Sequence, residues 1–289
     1  MSHKSVALRL RNELSTVVAG LSELIKSLPI RRLDRFGGGI LIVAPEFYFA
    51  ERSAEQQANQ LALKRRYDVL MEILTVILRG ATNDLLNRLE DADKHFRDWL
   101  ELNGSWSVTQ NAPENAKRSE TAAQPLLQIL DVLDLASKHE LILTPDTNSL
   151  LSTADPVDYR KVAHQDSFVF MLFPTVLGEL DHLKIEHRNP DVRDKAKKII
   201  TRIKGWRNQG SLAAGVIVDK SIAVKASHSE PDMAKTLSWL DANNRDDRIV
   251  ASILALQGEH PSAHVILVSD DINLLNKADA ALIETADAP

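Results

Sequence analysis

The 289 residues contain no cysteine. Disulfides, thiolate catalysis and cysteine-ligated zinc are thereby excluded, and the composition suits a reducing cytosol. No stretch approaches the roughly 20 uninterrupted apolar residues of a membrane span, and the amino terminus lacks a charged-then-apolar signal pattern. A soluble, cytoplasmic protein with no membrane partner is expected. Positive charge is not in excess: the formal net charge is −5, so any attraction for nucleic acid must come from a local basic surface. There is no internal repeat of fixed period and no low-complexity tract. A glycine triplet, Gly37 to Gly39, precedes the apolar run Ile40 to Ala44, but no Gly-Lys-Ser/Thr follows. It reads as a flexible turn and not as a phosphate cradle.

Hydrophobic residues make up 44 % and charged residues 26 % of the chain, which describes a globular protein. The length suits one large domain or two of ordinary size. The first half reads as helices. Val6, Leu10, Leu14, Val17 or Val18, Leu21 and Leu24 or Ile25 form one apolar stripe, closed by Pro29. Residues 54 to about 102 carry the longest helical pattern, through Leu63, Tyr67, Leu70, Leu74, Ile77 and Ala81 and then, after a shift of phase near Gly80, through Leu85, Leu89, Ala92, Phe96 and Trp99. A helical bundle explains this spacing better than a coiled-coil seam, which needs sustained heptads with flanking charges. Asn103 to Ser119 is polar and rich in turn formers and is predicted to be a loop. One more helix, through Leu126, Ile129 or Leu130, Leu133 and Ala136, leads to the second half.

From Leu141 the pattern changes. Short apolar runs alternate with helical patterns, the mark of a βαβ domain with a parallel sheet. Strands are predicted at 141–144, 168–173, 215–218, 222–226, 264–268 and 281–285, and helices at 149–152, 158–164, 174–187, 191–208, 231–240, 246–257 and 271–279. The fold class is therefore α/β at the carboxyl end, residues 140–289, preceded by a mainly α-helical region, residues 1–139. That helical region is expected to regulate, to bind a protein partner or to self-associate.

Acidic residues recur where strands end or helices begin. Asp146 closes the run Leu141 to Thr144-Pro145. Glu179 lies in PTVLGELDHLK, Asp246 and Asp247 open DDRIVASILALQG, and Asp270 and Asp271 follow the run Val265 to Val268. In βαβ topology such ends converge on one edge of the sheet, where α/β folds keep their ligands. Each acid alone also suits a helix cap or a solvated charge. Together they would repel unless a cation compensates. Hard divalent ions with oxygen ligands are the natural compensation and support phosphodiester cleavage.

On these motifs, PDTNSLL, PTVLGELDHLK, RDDRIVASILAL and ILVSDDINLLNKA, residues 141–286 resemble a PIN-domain nuclease. The resemblance implies a parallel-sheet fold and cleavage of RNA, as an endoribonuclease dependent on Mg2+ or Mn2+. Carried over residue by residue, it implies that Asp146, Glu179, Asp247 and Asp271 are both the metal ligands and the catalytic acids. Asp247 is preferred to Asp246 because it precedes Arg-Ile-Val-Ala-Ser, and Asp271 to Asp270 because it stands two after Ser269 and two before Asn273. Asn148 and Ser269 would orient the acids, and Asp246, Asp270 and Asn273 would be auxiliary.

RNA contact is expected from DVRDKAKKIITRIKGWRNQG, whose Val192, Ala196, Ile199, Ile203 and Trp206 form an apolar stripe beneath Arg193, Lys197, Lys198, Arg202 and Lys204. The alternative is an ordinary solvated lysine-rich face. An alternative for the whole protein is a catalytically silent RNA-binding or scaffolding molecule that keeps the same fold.

Overall fold

The structure is a computed structural model that describes residues 4–33, 46–103 and 107–289. The glycine triplet and the run Ile40 to Ala44 lie outside these residues. The chain forms two compact units, one of residues 7–133 and the other of residues 134–289 with residues 4–6.

The first unit is helical. Helix α1 (Val6–Ser27) buries Leu10, Leu14, Val17, Leu21 and Ile25, so Val17 and not Val18 carries the stripe inward. A short antiparallel pair, β1 (Ile30–Arg32) and β2 (Phe47–Phe49), follows. Helix α2 (Ala54–Ile77) starts at Ser53, whose hydroxyl accepts from the Gln56 amide while the Gln56 side chain reaches back to the Ser53 amide, a reciprocal cap. A 3-10 turn at Leu78–Gly80 and extended Ala81 separate it from α3 (Asn83–Leu100), capped by Thr82. Helix α4 (Ala112–Asp134) completes the unit. It begins seven residues before the predicted loop ends, because Asn111 caps it by accepting from the Glu114 amide and Arg118 pairs with Glu114 one turn on. Tyr67, Leu70, Leu74, Phe96, Leu126, Ile129 and Leu130 are all fully buried, so the apolar faces close on one another as a bundle.

The second unit is a six-stranded sheet in the order β5-β6-β4-β3-β7-β8. Strand β3 (Leu141–Pro145) and strand β4 (Phe168–Leu172) are buried at all five positions. Both faces are therefore covered, as the unbroken apolar runs require. Short helices α5 (Thr147–Ser152) and α6 (Arg160–Ala163) lie between them. Helices α7 (Pro174–Glu186) and α8 (Pro190–Arg207) follow. Next come β5 (Val216–Val218), β6 (Ile222–Ala226), α9 (Arg245–Glu259), β7 (His264–Val268), α10 (Ile272–Ala280) and β8 (Glu284–Ala286).

Every neighbouring pair runs parallel except β5 and β6. The turn between those two carries Asp219 and Lys220 at positive φ, the left-handed conformation that reverses a chain tightly. The helix predicted at 231–240 does not form. Asp232 caps a single 3-10 turn, Met233–Lys235, and Thr236 is extended. The two buried leucines, Leu237 and Leu240, mimic helical spacing. The last strand starts three residues later than predicted, because Leu282 at φ 53 and the bond from the Ile283 amide to Ala278 close the preceding helix.

Candidate active site

The register of the sheet builds the site. Pro145 stands opposite Val268, and the Asp146 amide donates to the Val268 carbonyl at 3.1 Å. The next residue on each strand is then Asp146 and Ser269, side by side at the carboxyl edge. Asp146 is 3 % exposed. Its Oδ1 accepts from the Ser149 amide at 2.7 Å, which caps α5, and its Oδ2 accepts from Ser269 Oγ at 2.6 Å. Ser269 in turn accepts from the Asp271 amide at 3.0 Å. One buried hydroxyl thus links the ends of two neighbouring strands.

Glu179 enters from α7 and is half-buried. Its Oε2 accepts from Thr147 Oγ1 at 2.7 Å, and its Oε1 pairs with Arg245 Nη1 at 2.9 Å. Asp247 lies in the first turn of α9, behind the cap Asn244, and is 5 % exposed. Its Oδ2 accepts from the Asp241 amide at 2.9 Å. Its Oδ1 is buried. Lys277 Nζ, from α10, lies 2.8 Å from that oxygen as an ionic neighbour and 3.5 Å from Asp246 Oδ2. Burial is the largest influence on Lys277 and opposes its charge, but contacts with Asp247 and Asp246 outweigh it and raise its pKa above the ordinary lysine value.

Asp271 is the cap of α10, where its Oδ1 accepts from the Asn273 and Leu274 amides. Asp270 is exposed and accepts from the Ala288 amide at 3.0 Å, which turns it towards the last residues. Asn148 and Asn273 are exposed, and neither side chain bonds an acid among the described residues. Tyr159 packs beneath this edge, fully buried, its hydroxyl on the Thr153 carbonyl. Burial, then the nearby charges of Asp146, Asp270 and Asp158, hold that hydroxyl neutral well above the usual tyrosine range.

The basic residues of α8 divide into two groups. Arg193 donates to the His187 and Arg188 carbonyls, Lys197 pairs with Asp194 at 3.3 Å, and Arg202 pairs with Asp155 at 3.0 Å. Lys195, Lys198, Lys204 and Arg207 are exposed and hold no acid among the described residues.

The sequence reading overlooked Thr147, Arg245 and Lys277. A basic residue beside each acidic motif, in RDDRI and NLLNKA, was the available signal. The donor set suits a hard divalent cation: it is made of carboxylate oxygens, and one of them, Asp247 Oδ1, is buried with only an ammonium to compensate it. Among the described residues, however, no three His, Asp or Glu side chains stand close enough together to hold one metal ion. Two of the four acids are instead neutralised by Arg245 and Lys277.

The family model of the PIN domain covers residues 143–289, and the helical region before it is unmatched. No curated protein matches the chain.

Proposed function

This chain belongs to the PIN-domain family, and from that premise we propose that it is a ribonuclease, an endonuclease dependent on Mg2+ or Mn2+. The observation that carries the reading is the buried pair Asp146 and Asp247. Two carboxylates that are 3 % and 5 % exposed are costly to keep ionised unless a cation offsets them. Asp146, Glu179, Asp247 and Asp271 are the residues that would hold it. A divalent ion there would supply Lewis-acid stabilisation of the phosphate being cleaved.

The protein's own contribution is position. Ser269 fixes Asp146 through its Oδ2, Thr147 fixes Glu179 through Oε2, and the Asp241 amide fixes Asp247 through Oδ2. Each bond anchors one oxygen of its carboxylate. At Asp247 the second oxygen faces the Lys277 ammonium at 2.8 Å. Lys198 and Lys204, with Lys195 and Arg207, are the exposed cations of α8 available to an RNA backbone. The helical unit is then the place for a protein partner or for self-association.

A second reading has its own support. The pairs Arg245–Glu179 and Lys277–Asp247 neutralise acids without any metal, as a silent RNA-binding or scaffolding protein would allow. One experiment separates the two: incubation of the purified full chain with labelled single-stranded RNA in Mg2+, in Mn2+ and in EDTA, with Asp146→Asn alongside. Divalent-dependent cutting that is lost in the variant supports the ribonuclease. RNA binding with no cutting in either metal would sink it in favour of the silent reading.

A further inference from the structure

Lys277 occupies an unusual place. It sits on α10, six residues after the cap Asp271, and its ammonium lies between two consecutive acids of another helix, 2.8 Å from Asp247 and 3.5 Å from Asp246. Its side chain is 26 % exposed and that of Asp247 only 7 %, so the pair is sheltered on the acid side and reachable on the lysine side. The Asp247 oxygen it faces is buried, and the ammonium is the partner shown for it. An ammonium is a compact point charge on a flexible stem. It can neutralise that oxygen and can also swing away from it. The pair Arg245–Glu179, with the arginine 51 % exposed, is the weaker counterpart.

We propose that Lys277 is a positioning residue that acts as an internal cation: it holds Asp246 and Asp247 until a divalent ion takes its place, and it then turns to the RNA phosphate. The inference rests on the ribonuclease reading above. Electrostatics favours the exchange in both directions. Without the ion, an unneutralised Asp247 would be buried beside Asp246, a like charge on the same helical turn. With the ion in place, its charge repels the ammonium and frees it to meet a phosphodiester.

Reactivity of the lysine amine reports the exchange directly. The full chain is labelled with an amine-specific reagent at fixed pH, with and without saturating Mn2+, and the modification of Lys277 is read by mass spectrometry. Release from Asp247 should raise its labelling severalfold. In parallel, Mn2+ affinity in the absence of RNA is measured for Lys277→Met and for Lys161→Met, which removes the same charge from α6, before the amino end of β4. Loss of a competing cation at close range should tighten Mn2+ binding by about tenfold for Lys277→Met, and the control should move it by less than about twofold. Mn2+ binding with unchanged or lower labelling of Lys277, and equal affinities for the two variants, would overturn the exchange and leave the ribonuclease reading standing. Failure of the unaltered chain to bind Mn2+ would overturn that reading itself, and the exchange with it. Because the labelling uses the unaltered protein, a variant that fails to fold does not remove the test.

Discussion

The two units use the same acidic residues in different ways. In the helical unit no Asp or Glu is buried among the described residues. Its acids sit on helix surfaces and pair across them, Glu13 with Arg66, Asp131 with Arg11, Glu101 with Lys64, and Asp68 and Asp93 with Arg97. In the sheet unit both buried carboxylates, Asp146 and Asp247, stand at the carboxyl edge of the sheet. A folding protein gains little from burying a charge there, because the desolvation penalty rivals the Coulombic gain. The acids of the first unit stay in solvent-exposed pairs. The two buried acids of the second give up solvation, which hydrogen bonds offset at Asp146 and the Lys277 charge offsets at Asp247. This difference is what turns a family match into a statement about particular atoms.

The largest effect that could break the comparison is at Asp146. Asp146→Asn should lower divalent-dependent RNA cleavage by more than about a hundredfold, beyond what loss of an outer partner of a metal ligand typically causes. Stability should change by no more than about 1 kcal/mol. The asparagine carbonyl still caps the Ser149 amide, while the Ser269 hydroxyl loses its charged acceptor. Cleavage assays with urea unfolding of the same preparations would check both halves. Full activity in the variant would reduce Asp146 to a helix cap like Thr82.

Tyr67 tests the other unit, where stability and not chemistry should move. Its hydroxyl donates to Asp93 at 2.7 Å, its ring meets Phe96 edge-on at 5.0 Å, and Arg97 lies 5.2 Å over it. Burial, then Asp93, raises its pKa above the ordinary 10.0. The folded form thus keeps the proton more tightly than the unfolded chain does. The stability this contributes is complete below pH 10 and is lost as the pH rises beyond it. Tyr67→Phe should cost about 1–2 kcal/mol at neutral pH, since Asp93 keeps only Arg97, and should make the alkaline loss of stability shallower. Urea midpoints at pH 7 and pH 10.5 measure both, and RNA cleavage should be unaltered.

What the sequence made legible follows the same division. Strands β3, β4 and β7 were readable because a strand covered on both faces needs an unbroken apolar run, and Ile142, Val169 and Val265 lie in such runs. The acids Asp146 after β3 and Asp270 and Asp271 after β7 were readable for the same reason. Their partners were not. Arg245 reaches Glu179 across 66 positions of sequence, and Lys277 reaches Asp247 from a different helix. Which base meets which acid depends on strand order and helix placement, which local patterns do not encode. Local chemistry also misled where two forces compete. Leu237 and Leu240 are buried with helical spacing, but the cap at Asp232 and extended Thr236 limit the helix to one turn.

The comparison can be sharpened on α8, where the surface of the sheet unit is basic. The pairs of Arg193, Lys197 and Arg202 leave Lys195, Lys198, Lys204 and Arg207 as exposed cations of this helix, of which Lys198 and Lys204 lie in the predicted contact set. Their double replacement by Ala should lower the slope of log affinity against log salt by about 1.4 for single-stranded RNA, at 0.7 per contact. Turnover at saturating RNA should change far less. An unchanged slope, measured on uncleaved RNA in EDTA, would make α8 a solvated face like those of the helical unit.

The smallest expected effect is also the closest control. Arg66 meets Glu13 through two contacts, Nε at 2.6 Å and Nη2 at 2.9 Å, and the bond to Glu13 raises its pKa. Arg245 meets Glu179 through one contact at 2.9 Å, with the arginine about equally exposed. Double-mutant cycles to Ala should give each pair a coupling of roughly 0.3–1 kcal/mol without metal, the range for exposed ion pairs. Addition of Mn2+ should leave the Arg66–Glu13 coupling where it was, because nothing in the helical unit competes for that carboxylate. It should reduce the Arg245–Glu179 coupling towards zero if Glu179 turns to a cation. Two couplings that respond identically to Mn2+ would erase the distinction between the units and place the acids of the sheet edge among ordinary surface pairs.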